Sequence, residues 1–327
     1  MSIDRRFLNW GIFLVLLGGI PLVVNLGWLD RTAVSDLWRF WPLLLIGAGI
    51  GLILARTPFA AVGGIVVAGT FRVILGSLLA GGFSLAIPGC GTTGNLQRAA
   101  ERTGTFAGGT ASVTIELDCG RLDIGAADGP GWHVAIDAED LDRVPTIESS
   151  STRLSVRPGR SGRAWFPFGG HGAQAWRVEL PRSLPVVLGA TVNAGEATIA
   201  PAGADLDSVG LTVNAGRAVL DLGSATVGSL SATINAGELL VDLPASGATG
   251  AMTANAGSIK LCAPSGVGLR LDASGGFASG NNFGDAGLVE ANGAWVSGNY
   301  ATATARVDLR LTGNLAGFTL NPGEGCR

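Results

Sequence analysis

Few groups in this 327-residue chain could do chemistry. Two histidines are present, His133 in "GWHVAI" and His171 in "GGHGAQ", with four cysteines, Cys90, Cys119, Cys262 and Cys326. A histidine can move protons near neutral pH or ligate a metal, yet neither has a serine or cysteine nucleophile motif beside it. His133 reads as a strand-face residue and His171 as part of a glycine-rich loop. The cysteines form no CxxC pair and have no metal-ligand spacing. Facing an oxidising compartment, they could form two disulfides, whose connectivity the sequence leaves open. The densest carboxylate run, "DAEDLDR" (Asp137 to Arg143), lacks the Asp/Asn/Gly spacing of a calcium loop and reads as a solvated turn. No phosphate-cradling or dinucleotide glycine motif falls between a strand and a helix. The expectation is therefore no catalytic residue, no cofactor, no metal and no enzyme.

What remains is contact chemistry. In "RPGRSGRAWFPFGGHGAQAW" (Arg157 to Trp176), Arg160 and Arg163 precede Trp165, Phe166 and Phe168, with glycines on both sides. A loop offering cations and aromatics together suits a phospholipid head-group region or a protein hot spot. The competing reading is an insertion whose aromatics fold back on the domain that carries it. A net charge of −3, with Lys260 the only lysine and no basic stripe, argues against nucleic acid.

The elements that would position these groups fall into two halves. The motif Asn-Ala-Gly recurs in "TVNAGEATI", "TVNAGRAVL", "TINAGELLV" and "TANAGSIKL", at Asn193 and Gly195, Asn214 and Gly216, Asn235 and Gly237, and Asn255 and Gly257. The asparagines are 21, 21 and 20 residues apart. A fixed period near 20 marks a solenoid whose repeats stack to bury a continuous core. Apolar alternation on both sides, as at Leu211, Val213, Ala218 and Leu220, predicts strand, turn, strand. Asn tolerates the left-handed region and Gly enters it freely, so each motif is expected to be a repeat turn. Stacked asparagines could also hydrogen-bond in a ladder. Asp118-Cys119-Gly120 and Ser274-Gly275-Gly276 are looser copies, and "RVDLRLTGNLAGFTL" (Arg306 to Leu320) reads as the closing strand. An antiparallel sandwich is the alternative architecture.

The first half is apolar. Spans at about 7–29, 40–55 and 59–87 are long enough, or nearly so, to cross a bilayer as helices. Trp10, Trp28 and Trp41 fall where an interfacial belt would sit. Arg72 lies inside the third run, where it would snorkel toward an interface or face the bundle. Arg5 and Arg6 favour a cytoplasmic N-terminus, so three crossings would put the C-terminal half outside. The organisation expected is a transmembrane helical domain over 1–88, a Gly/Thr-rich linker over 89–109 and a β-solenoid domain over 110–327.

"RRFLNWGIFLVLLGGIPLVVNLG" followed by "FWPLLLIGAGIGLIL" resembles the transmembrane region of LiaI/LiaF-like bacterial envelope proteins. "ELDCGRLDIGA", "WRVELPRSLPVVLGATVNAGEATI" and "WVSGNYATATARVDLRLTGNLAGFTL" are similar to LiaF C-terminal and adhesin-type "toast-rack" β-solenoid domains. Arg72 departs from a clean family-style span. The resemblance implies a non-enzymatic, multi-pass protein of the cell membrane with an extracytoplasmic β-solenoid. It implies sensing or modulation of envelope stress, with the bilayer and a two-component sensor kinase or other membrane protein as partners. An adhesin-like or scaffold role, with self-association, is the alternative function.

Overall fold

The computed structural model describes residues 95–141, 144–159, 173–275, 280–323 and 326. A unit boundary falls between Leu85 and Ala86. The three expected spans, with Trp10, Trp28, Trp41 and Arg72, lie outside the described residues, as does the loop carrying Arg160, Arg163, Trp165, Phe166 and Phe168. Among the described residues, no helix is long and apolar enough to cross a membrane.

The described residues are all-β, and their strands run in chain order as follows. β1 is Gln97–Thr105, β2 Ala111–Ala127, β3 Gly131–Ala138, β4 Thr146–Ser149 and β5 Arg153–Arg157. β6 is Gln174–Pro181, β7 Val186–Ile199, β8 Asp205–Asp221, β9 Thr226–Asp242 and β10 Ala248–Cys262. β11 is Gly268–Gly275, β12 Gly280–Asn281, β13 Val289–Ala291, β14 Ala294–Val296 and β15 Arg306–Leu320. They form one sheet in the order β1-β3-β6-β2-β7-β8-β9-β10-β15-β11-β14-β13. From β2 to β11 every neighbouring pair is parallel.

The repeat unit is one long strand bent into two arms. In β8 the first arm turns Leu206, Val209, Leu211 and Val213 inward, and the second turns Ala218 and Leu220 inward. Both sets join a single core that continues through Leu222 and Ala225 in the connection to β9. The phase changes across Asn214-Ala215-Gly216-Arg217, where Gly216 has φ 141°. The expected turn thus takes a different form: strand pairing runs through the motif, and Gly alone leaves the normal extended region. Asn193, Asn214, Asn235 and Asn255 keep negative φ, because parallel neighbours hold the backbone on both sides of the bend.

Gly120, Gly195, Gly216, Gly237 and Gly257 all lie at φ between 128° and 141°. A Cβ built at Gly195 would overlap the Gly120 carbonyl oxygen, and one at Gly216 would overlap that of Gly195. The same conflict recurs at Gly237 and Gly257. Gly therefore answers two demands here, a backbone angle closed to L-residues and a space already filled by the coil below.

The two ends are finished differently. Beyond the bend at Gly120 the arms of β2 acquire separate neighbours: β5 pairs with Ser112–Ile115, and β6 with Gly120–Ala127. β6 leads into the antiparallel set β3 and β1, with Trp176 buried beneath it. At the other end, Arg306–Leu320 does not close the array. It inserts between β10 and β11, since its full length covers both arms of β10 while the eight residues of β11 cover only one. Beyond β11, Phe283 meets Trp295 edge to face at 6.2 Å. Cys262 and Cys326 form a disulfide across 64 residues, and Cys119 is also disulfide-bonded.

Gly216→Ala is expected to destabilise the domain by about 1–3 kcal/mol, from backbone strain and carbonyl overlap. Gly125→Ala in β2, with ordinary φ and open space at its Cβ, should change stability by less than about 0.5 kcal/mol. Chemical unfolding of the two variants measures the contrast.

Candidate functional site

The most organised polar feature is the row of asparagines. Asn193 Nδ2 donates to Asp118 Oδ1 at 2.9 Å, and Asn214 Nδ2 to Asn193 Oδ1 at 2.7 Å. Asn235 donates to Asn214 at 2.6 Å, Asn255 to Asn235 at 2.5 Å and Asn314 to Asn255 at 2.6 Å. The chain of amides has one direction, and Asp118 sets it. A carboxylate only accepts, so Asn193 must turn its NH2 toward it and present its oxygen to Asn214. Each later amide inherits that orientation, and aligned dipoles strengthen one another along the row.

Two residues before each asparagine stands a second row on the same outward side of the first arms. Glu116, Thr191, Thr212, Thr233, Thr253, Thr312 and Ser274 are register partners from β2 to β11. The outward side of the second arms is charged instead. Arg217 pairs with Glu238 at 3.2 Å, Lys260 with Glu238 at 2.8 Å, and Arg121 with Asp123 at 3.0 Å.

The titratable groups singled out in the sequence are tied into the antiparallel end. His133 on β3 places Nε2 3.0 Å from Glu101 Oε1 and Nδ1 3.6 Å from Glu179 Oε2. Arg98 reaches both Glu101 and Asp137 at 2.7 Å. The His133 hydrogen bond, followed by the Arg98 charge, holds the Glu101 carboxyl below its ordinary value. The arrangement is an exposed cross-strand ion network with no nucleophile in it. Of the acidic run, Asp137 is paired with Arg98 and Glu139 accepts from the Ala173 amide at 3.4 Å. Asp140 also has a partner. Among the described residues no group of three or more His, Cys, Asp or Glu could hold a metal. His171 lies outside the described residues, whereas Arg157 ends β5 exposed, 3.9 Å from Glu116, and Trp176 is buried.

The structure thus brings Asn193, Asn214, Asn235 and Asn255 into one line, with Gly195, Gly216, Gly237 and Gly257 stacked beside them. Sequence reading missed Asn314 as a ladder member, since it lies 59 residues beyond Asn255. It also missed the threonine row, although a threonine two places before each asparagine was a visible signal.

Two family models match parts of the chain. Residues 9–90 match the model of the LiaF transmembrane domain. Residues 105–243 match the model of the N-terminal domain of toast_rack. No curated protein matches the chain. Among solved structures the chain is similar to a candidate cell adhesion protein from Clostridium sporogenes ATCC 15579. There the identity is 11%, over 68% of this chain and 99% of that one, with a TM-score of 0.45. It is also similar to a candidate adhesin from Bacteroides fragilis NCTC 9343, at 9% identity over 68% and 96%, with a TM-score of 0.28.

Two outcomes test the site. Asn235→Ala strips partners from both Asn214 and Asn255, so it should cost about 1–2 kcal/mol, and Asn314→Ala at the row's end about half as much. Glu101, with its folded value lowered from 4.5, contributes stability above that pH and loses it as the pH falls through the folded value. The melting temperatures of wild type and Glu101→Gln should therefore differ above pH 4.5 and converge below it.

Proposed function

For a chain that joins a LiaF-type transmembrane domain to a toast-rack domain, we propose a role in envelope-stress signalling. The membrane segment anchors the chain, and the β-solenoid stands outside the cytoplasm as a rigid surface that binds and does not catalyse. Its partner is a membrane protein of the signalling apparatus, a two-component sensor kinase being the best fit. Binding would restrain or release that partner, so the signal passes by association alone.

The observation that carries this reading is the pairing of the two matched domains on one chain. A repeat array held by stacked amides and by strand pairing on both arms transmits force and position well, since it has few soft joints. The Cys262–Cys326 bridge and the bonded state of Cys119 favour an oxidising compartment. The His133 network, which has no nucleophile and no metal cluster among the described residues, offers little to an enzyme reading.

Labelling of Cys326 tests the sidedness. Intact cells are reduced with an impermeant reductant and treated with an impermeant thiol reagent, beside a lysed control. Labelling of Cys326 in intact cells is the expected outcome, Cys262 being buried, and labelling only after lysis would place the solenoid in the cytoplasm. Deleting the chain should then change the output of an envelope-stress reporter, and an unchanged reporter would leave the anchor without the signalling role.

A further inference from the structure

The chain enters the β domain through a weakly anchored strand. β1 has a single neighbour, β3, and none of its nine residues is buried. It is held by the backbone ladder to β3, by the Arg98–Asp137 pair at 2.7 Å and by the His133–Glu101 contact at 3.0 Å. Arg102 also reaches the Ile147 carbonyl oxygen at 3.4 Å. Exposed pairs of this kind add little, and a strand with few buried contacts opens locally far more readily than a core. The next strand, β2, is the opposite case. β7 covers it from Ala111 to Ile124, and β5 and β6 cover its other side. Its residues Val113, Ile115, Leu117 and Leu122 fill the core.

Cys119 stands at the bend of β2, 2% exposed and in register with Ala194. The following bends carry Ala215, Ala236 and Ala256 at that place. A bend is therefore complete with a methyl group, and packing alone does not call for a thiol. The sulfur is engaged covalently: Cys119 is disulfide-bonded. The chain has four cysteines, and Cys262 and Cys326 are joined to each other. Within one chain that leaves Cys90 as the partner. Cys90 lies outside the described residues. In the sequence it stands 29 residues before Cys119 and seven before the start of β1, and it is the last residue of the LiaF transmembrane match.

We propose that Cys90 and Cys119 form a staple that fixes the incoming chain to the first full coil, so that β1 does not bear the connection alone. In forming it the two thiols give up two protons and two electrons, by exchange with a disulfide oxidant. Tension on the chain at residue 90 then passes through the two sulfurs to β2 and its neighbours on both sides, and the ladder of β1 is not loaded. The staple also encloses β1 in a covalent loop, with Cys90 before the strand and Cys119 after it. Closing a loop of this length removes much of the freedom of the opened chain. The staple serves whatever partner the domain binds.

Two measurements on the full chain in detergent test it. The arginines and the single lysine place the four cysteines in four different tryptic peptides, 73–98, 103–121, 261–270 and 311–327. With free thiols blocked and no reductant present, 73–98 is expected joined to 103–121, and 261–270 to 311–327. Peptide 103–121 found free, joined to either C-terminal peptide, or joined to itself as a bridge between two copies overturns the proposal. Hydrogen exchange then reads the effect on β1. Cys119→Ala installs the residue of the later bends, so the amides of β7 to β9 should keep their wild-type rates while those of β1 exchange about tenfold faster or more. Cys90→Ser should do the same, and the double variant should add nothing to either single one. Wild-type exchange of β1 in Cys90→Ser, or effects of the two substitutions that add, overturns the staple. Should Cys119→Ala fail to fold, Cys90→Ser decides alone.

Discussion

At the bends from β2 to β10 there is no room for a Cβ, and the coil geometry follows from that exclusion; only at β15 does Ala316 stand in register on Gly257. The carbonyl of one glycine occupies the place where the next glycine's side chain would begin. The coils can therefore stack only in register, glycine on glycine, at the spacing of a β-ladder. That register brings asparagine over asparagine and threonine over threonine. It also sends the apolar residues of both arms, such as Val213 and Leu220, into one continuous core. The ladder of side-chain amides is thus a result of the backbone stacking and in turn strengthens it. Asp118, at the first coil, gives the whole row its polarity.

An array of this kind has two open ends, and open strand edges invite unwanted pairing. The chain treats them by different means. At the start, β5 covers one arm of β2, while β6, β3 and β1 cover the other in antiparallel fashion. The outermost of these, β1, is mostly exposed and carries Arg98, Glu101 and Arg102, charges that discourage further pairing. At the far end short strands and the Phe283–Trp295 contact finish the sheet, and the Cys262–Cys326 bridge ties the end of β10 to the residues after β15.

Much of this was legible in the sequence, and the reasons differ from residue to residue. The period of Asn193, Asn214, Asn235 and Asn255 fixes the coil length directly, and alternation about each motif identifies strands. The form of the bend was not legible. Asn-Ala-Gly permits either a turn or a bent strand, and only hydrogen bonds to both neighbouring coils select the second. Asn314 was hidden because the excursion through β11 to β14 breaks the period before the motif returns. The insertion of β15 was hidden for a related reason: sequence order suggests spatial order, whereas strand length decides which segment can cover β10. The ion network around His133 depends on antiparallel register among β1, β3 and β6, and no local spacing announces it.

The position of β15 also bears on how the domain can be made. β7 lies on β2, and β8 to β10 each pair with the strand before, so those coils can settle one after another as the chain emerges. After β10 the order breaks. β11 is released first but has no place until Arg306–Leu320 arrives to lie between them. Until then β10 presents a full-length parallel edge, and the chain from β11 to β14, paired only within itself through β14, must wait without a place on the array. The array therefore grows progressively for most of its length and is sealed only by the last strand, so a chain stopped short of residue 306 would keep an adhesive edge where the finished domain has a closed wall.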